Sequence, residues 1–253
     1  MPSIYSFLVN NKKKHKTITI KKVKDFFEIA LRLMEDEKYF YRGINSNNQK
    51  YPKLIRDNDL AEFEADFLRE FEKYYGLYSK TPNFWEFIAL AQHHGLKTRL
   101  IDFTSNIFVA AFFSLHQKSK TREYKIYVFN RQKFKSSNDW NKKVQYISEP
   151  DEKMADNVMV AFGRFKETGA DYLLTPHYSN NRIFVQQGLF VIPGSATINH
   201  LDKFYNNSDI EINISPNIRK YILDRLKRFG YDEYRLMPDL DSVCHEINSI
   251  FDK

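Results

Sequence analysis

Between residues 21 and 37 the sequence KKVKDFFEIALRLMEDE repeats apolar side chains at Val23, Phe26, Phe27, Ala30, Leu31 and Met34. Steps of three and four residues put these positions on one face of a helix. The stretch LAEFEADFLREFEKYY, residues 60–75, does the same with Leu60, Phe63, Phe67, Phe71 and Tyr74, and predicts a second amphipathic helix. Between the two, residues 38–42 read as a short aromatic strand ended by Gly43, followed by polar loop to Asp59. A third helix is predicted over WEFIALAQHH, entered through a capping box of Asn83 and Glu86 and closed by Gly95.

Further on, TRLIDFT, residues 98–104, predicts a strand, and Thr104 or Ser105 stands where it can cap NIFVAAFFSLH. That segment is so uniformly apolar that it must be buried on most sides. KIYVFN, residues 125–130, predicts a central strand, and the polar stretch 131–156 an irregular surface excursion. RIFVQQGLFVIPG reads as a strand with a glycine interruption, whose alternation would set Arg182, Phe184 and Gln186 on one side. DIEINI alternates like a half-buried strand, Pro216 opens a helix that Gly230 closes, and a last helix is predicted over residues 241–251. With no internal repeat or low-complexity linker, helices interleaved with short strands predict a single α+β domain.

Composition narrows the class. With 42% apolar residues, 22 Phe and 16 Tyr, the 253-residue chain has material for a core, which excludes chain-wide disorder. No run approaches about 20 apolar residues, and the first residues lack the apolar region of a signal peptide, so a soluble, cytoplasmic protein with no membrane partner is expected. The single cysteine, Cys244, excludes an intrachain disulfide and reads as a small buried residue of the last helix. Net charge is +7, and the densest basic run, Lys12 to Lys22, suggests a basic segment over residues 1–20 ahead of a domain over 21–253. Such a run either neutralises phosphates or forms a solvated face.

Three stretches concentrate chemistry. In Tyr41-Arg42-Gly43, a guanidinium can grip a phosphate or carboxylate in two places, and the glycine lets a ligand approach the backbone. The competing reading pairs Arg42 with a structural acid. In Gln92-His93-His94-Gly95-Leu96-Lys97-Thr98-Arg99-Leu100-Ile101-Asp102-Phe103-Thr104, polar groups crowd a junction between apolar segments and must satisfy one another or a ligand. Adjacent helical positions diverge by about 100°, so His93 and His94 cannot serve one metal ion, and no metal site is expected. Strand alternation points Asp102 and Thr104 the same way, for helix capping or for catalysis, while Arg99 suits a buried acid. In Arg182-Ile183-Phe184-Val185-Gln186-Gln187-Gly188-Leu189-Phe190 the glutamine amides either satisfy backbone or orient a ligand. No Gly-rich phosphate loop and no Gly-x-Ser-x-Gly nucleophile motif occurs.

These stretches, in this order, resemble the FRG domain family: Phe40-Tyr41-Arg42-Gly43, then Ala91 to Thr104 with the trailing Ala110-Ala111-Phe112-Phe113, then Arg182 with Gln187-Gly188-Leu189-Phe190. A weaker echo is Leu236-Met237-Pro238-Asp239-Leu240-Asp241. The family is distantly similar to the ADP-ribosyltransferase fold, which implies small mixed or antiparallel sheets flanked by helices, with NAD bound in a cleft between two of them. By order along the chain, Arg42 resembles the arginine that anchors NAD phosphate, Thr104 the hydroxyl residue of the second strand, and Gln187 stands where a transferase has glutamate. Tyr41, Gly43, His93 and Arg99 join Arg42 and Thr104 as cofactor-binding candidates, and His94, Asp102 and Gln187 are the catalytic candidates.

The resemblance therefore implies an NAD-dependent enzyme that modifies a macromolecule, nucleic acid or protein, and a toxin or phage-defence role. An amide cannot supply the negative charge of a glutamate, so Asp102, the only built-in anion of the central motif, or a histidine must replace it. Two other readings stay open: a nucleotide or nucleic-acid binding module without turnover, and hydrolysis of NAD or of a nucleic-acid backbone. The enzyme readings require Arg42, His94, Asp102 and Gln187 in one cleft. A pure nucleic-acid binder predicts a broad groove lined by Lys and Arg.

Overall fold

A computed structural model describes residues 16–56, 60–75, 84–133, 144–147, 171–175 and 181–238. The predicted capping residue Asn83, the helix over 241–251 with Cys244, and Lys12–Lys14 lie outside the described residues. The chain is α+β, with one eight-stranded mixed sheet in place of separate small sheets. Its strands are β1 (Lys16–Ile20), β2 (Tyr39–Ile44), β3 (Ile101–Thr104), β4 (Lys125–Asn130), β5 (Val144–Ile147), β6 (Asp171–Leu174), β7 (Gly188–Ile192) and β8 (Ile210–Ile214), in the order β1-β8-β4-β2-β3-β7-β6-β5.

The sheet is continuous in order and nearly divided at its middle. β2 pairs with β4 along its whole length, and β3 pairs along its whole length with β7. Between β2 and β3 the register holds at a single pair, Tyr41 opposite Thr104. The two halves mirror each other: each has antiparallel inner strands and one parallel outer pair, β1 with β8 and β5 with β6.

Helices close both faces. On one face of the first half lie α1 (Val23–Met34), α5 (Ile107–Leu115) and α8 (Arg219–Arg228), which bury Phe26, Ile29, Phe112, Ile222 and Leu226 against Ile126, Val128 and Ile212. On the same face of the second half, α3 (Glu64–Tyr75) and α4 (Phe84–His93) pack Leu68, Phe87 and Ile88 on Leu100, Phe190 and Ile192. The opposite face spans both halves beneath α7 (Ile198–Asn206), where Phe204 and Tyr205 meet Phe40, Phe103, Tyr127 and Phe129. Short helices α2 (Lys53–Arg56), α6 (Asn181–Val185) and α9 (Glu233–Leu236) complete the described elements.

Several expectations change for identifiable reasons. Gly43 does not end β2, which runs on to Ile44. Its α hydrogens face α5 so closely that a Cβ would lie 1.7 Å from the Ala110 carbonyl oxygen. The glycine is a packing notch for a helix, where the sequence suggested room for a ligand. In α3 the buried face runs through Glu64, Ala65, Leu68 and Tyr75, and Phe63 and Tyr74 are exposed. The rotation follows from Glu64, which is fully buried against Arg99.

The stretch Arg182 to Gln186 is not strand. Asn181–Val185 is helical, and Gln187, at φ 48°, makes the left-handed step that redirects the chain into β7. Part of the expected surface excursion is strand β5, and Lys16–Ile20, read as part of a basic run, is strand β1 with Ile18 and Ile20 buried. The cap of α5 is Asn106, whose side chain accepts from Phe108 N, whereas Thr104 accepts from Asn106 N one step earlier. Gly95 closes α4 as expected: at φ 92° it donates to the Gln92 carbonyl while Leu96 N donates to Ala91 O.

Candidate functional site

The parting of β2 from β3 leaves backbone groups without ladder partners, and Arg42 meets one of them. Its guanidinium donates from one terminal nitrogen to the Asp102 carbonyl, and from the other to Gln49 O at 2.8 Å. The side chain thus ties β3 and the 45–52 loop to β2. Both partners are neutral carbonyls, so the charge of Arg42 stays uncompensated by any carboxylate among the described residues. Its Nε is buried with no hydrogen-bond partner, a costly state for a donor. Phe103 lies under the guanidinium, 5.9 Å from its carbon to the ring centre. Nearby, burial pushes the Tyr205 hydroxyl up to about 12.

A cleft of about 350 Å³ opens at this parting, walled by α4 and α5 on one face of the sheet and by the 49–56 segment on the other. Cations enter it from several elements: Arg42, Lys53 and Arg56 on one side, Arg182 on another. Among the described residues Lys53 and Arg182 form no ion pair, and Asp102 is the one carboxylate in the lining. Asp102 is held in place. Thr98 Oγ1 donates to Gln92 Oε1 at 2.6 Å, and Gln92 Nε2 donates to Asp102 Oδ1 at 2.6 Å. The glutamine of α4 thereby fixes the carboxylate of β3, which leaves Oδ2 for a ligand.

The candidate residues divide into those that reach the cleft and those that do not. Tyr41, Arg42, Gly43, His93, Asp102 and Thr104 line it. Tyr41 spends its hydroxyl on Leu33 O at 3.0 Å, and Thr104 donates to Gln186 O at 2.6 Å, so both also serve the fold. Burial, followed by the nearby Arg182 and His94, holds the His93 imidazole below its ordinary pKa, so the ring is neutral at pH 7. His94 is exposed and does not line the cleft.

Arg99 is elsewhere: its N–H and Nε donate to the two oxygens of Glu64 at 2.8 and 2.6 Å, both side chains being almost wholly buried. Burial pushes the Glu64 carboxyl up, and Arg99 opposes it. Gln187 is exposed outside the cleft beside Ser105, and Gln186 takes the lining position, its amide donating to Leu236 O at 2.7 Å. Of the four residues that the enzyme readings need together, the structure brings together Arg42 and Asp102.

Two groups of lining residues escape the sequence reading. Lys53 and Arg56 are one helical step apart in a stretch with no apolar period, and the signal was their (i, i+3) spacing. His116 follows the apolar helix α5 and looks like a solvated end, yet it stacks on Phe112, with ring centres 4.9 Å apart. Its Nδ1 lies 3.2 Å from the Phe113 carbonyl, which only accepts, so that nitrogen carries the proton and Nε2 is an acceptor. Burial lowers its pKa.

Residues 37–125 match the FRG domain model. This stretch is an FRG domain. The match contains the first two motifs, Phe40 to Gly43 and Ala91 to Thr104, and with them Arg42, Asp102 and most of the α5 wall. Arg182 and residues Gly188 to Phe190 lie beyond the matched residues and complete the cleft from α6 and β7. No curated protein and no solved structure matches the chain. Among the described residues no helix is long and apolar enough to cross a membrane.

Proposed function

We propose that the cleft binds NAD and that the protein is an ADP-ribosyltransferase-like enzyme acting on a macromolecule, with His93 and His116, in place of His94 and Gln187, beside Arg42 and Asp102. The observation that carries this reading is a cleft in which, among the described residues, Arg42, Lys53 and Arg182 have no carboxylate to neutralise them and Asp102, held by Gln92, is the one anion. A pyrophosphate suits the cations. In this role NAD supplies an ADP-ribosyl group through a nicotinamide–ribose bond whose cleavage leaves positive charge on the ribose. Asp102, fixed by Gln92, provides preorganised negative charge in the cleft. His93 and His116, both neutral at pH 7, provide acceptors for a proton from an incoming nucleophile.

A second reading, a nucleotide-binding module without turnover, is favoured by one observation: the lining position on the third motif is Gln186, an amide already committed to Leu236 O, and Gln187 is outside. Calorimetric titration with NAD, beside NAD consumption by the same samples, separates the two. Arg42→Ala is unsuitable alone because Arg42 also holds β3, so Lys53→Gln and Arg182→Gln are the binding variants. Each is expected to weaken NAD binding by about tenfold, the worth of one charge-assisted hydrogen bond. Asp102→Asn is expected to bind NAD and to lose consumption by at least about 100-fold. Wild type without saturable heat would remove the cofactor assignment, a wild type that binds NAD without consuming it would leave the binding module, and an Asp102→Asn protein that consumes NAD normally would remove Asp102 from the chemistry.

A further inference from the structure

Helix α8 has the sequence RKYILDRLKR and buries only one narrow stripe, Ile222 and Leu226, against α5 and its neighbours. Its outer side presents Lys220, Arg225 and Arg228, all exposed and none in an ion pair among the described residues. Two rings stand among these cations. Tyr221 is 60% exposed, as is Phe229 at the helix end, although the latter touches Phe27 edge-on at 5.8 Å. Positions 221, 225 and 228 are spaced i, i+4, i+7, so a ring and two guanidinium groups share one line along the helix. Neighbouring basic residues are already occupied: Arg219 donates to His116 O at 2.7 Å, and Arg235 pairs with Asp232 at 2.9 Å.

We propose that this face of α8 is a nucleic-acid-binding surface, with Lys220, Arg225 and Arg228 on phosphates and Tyr221 and Phe229 under unstacked bases. Unpaired cations interleaved with exposed rings are what a single strand requires, since the charges track its backbone and every base offers a π-face. A bilayer would need a free apolar side, and α8 has spent its own on the core. The surface adjoins the cleft: Arg219 fastens α8 to His116, which lines it. A strand held on α8 therefore passes beside the cleft wall formed by α5. The surface stands without the NAD reading, and only the role of the bound strand as acceptor rests on that reading.

The test is fluorescence anisotropy with a labelled single-stranded RNA oligonucleotide, and its DNA counterpart, titrated at several salt concentrations. The wild type is expected to bind with a log K that falls linearly with log salt. The triple variant Lys220→Gln, Arg225→Gln, Arg228→Gln is expected to lose about 2 from that slope, at about 0.7 per phosphate contact. Tyr221→Ala with Phe229→Ala is expected to bind about fivefold or more weaker with the slope retained. All five side chains are exposed, and unchanged circular dichroism and NAD titration confirm intact variants. A wild type that ignores oligonucleotides, a triple variant with the wild-type slope, or binding to phosphatidylserine vesicles in place of nucleic acid overturns the proposal. Loss of slope in a protein that never binds NAD keeps this surface and removes the cofactor reading.

Discussion

Gly43→Ala is expected to cost at least about 3 kcal/mol, well above the usual price of a small surface change, because the added methyl has nowhere to go. It would lie 1.7 Å from the Ala110 oxygen and 2.9 Å from Ser114 N, both backbone atoms of α5. No rotamer relieves such a clash, so α5 must move away from β2. That helix is held there by Ser114 Oγ, which donates to Ile44 O at 3.0 Å, and by an almost wholly buried surface. Urea denaturation and thermal melting provide the measurement. A fall of about 6 °C or more in Tm corresponds to the loss at about 2 °C per kcal/mol for a chain of this size. Gly188→Ala is the control in another cleft strand: its nearest atom would be 3.5 Å away, ordinary contact, and a change below about 1 kcal/mol is expected. Equal effects at the two glycines would show that the fit of α5 on β2 is looser than the geometry requires.

Glu64→Ala is expected to cost about 3–5 kcal/mol, since it takes a buried carboxylate away from the buried Arg99 guanidinium. Arg99→Ala leaves a buried carboxylate and is expected to cost a similar amount. The double variant Glu64→Leu, Arg99→Met removes both charges while keeping volume, and is expected to recover most of the loss, giving a coupling energy of at least about 2 kcal/mol. Chemical denaturation of the four proteins measures it. Single variants that each cost under about 1 kcal/mol would mean that water reaches the pair. The pair also bears on the site, because Arg99 N donates to Glu64 Oε1 and anchors the chain just before β3. Loss of NAD binding in the single variants alone would therefore report on folding, and the double variant distinguishes it from a cofactor contact by Arg99.

What the sequence made legible follows the range of the interaction. Local periodicity delivered α1, α5, β4 and β8, and glycine chemistry delivered the ends of α4 and α8 at Gly95 and Gly230. The α+β class followed from these. Strands β1, β5 and β6 were missed because each is short and depends on a distant neighbour to complete it. The α6 segment has a strand's alternation and folds as one helical turn, since Gln187 must turn left-handed before β7. At the site, polar groups of the central motif satisfy one another as expected, Thr98 to Gln92 and Gln92 to Asp102 across a helix–strand junction, and Thr104 lines the same cleft. Glu64, which pairs with Arg99, is 35 residues away on α3, and the groups that Arg42 donates to are backbone carbonyls. Carbonyls are present at every position and so leave no mark in a sequence.

The solitary register pair between Tyr41 and Thr104 gives the sheet a hinge line where most sheets are stiffest. Middle strands ordinarily protect their amides longest, being hydrogen-bonded on both sides and farthest from the fraying edges. Here the two middle strands each carry an open inner edge, bridged by a side chain, Arg42, in place of a ladder. Backbone groups along that line should thus exchange with solvent sooner than those between β2 and β4 or between β3 and β7, so that slow exchange forms two separate islands. A ligand gripping both margins would join them, and its arrival would be felt as stiffening of the whole domain far from any atom it touches.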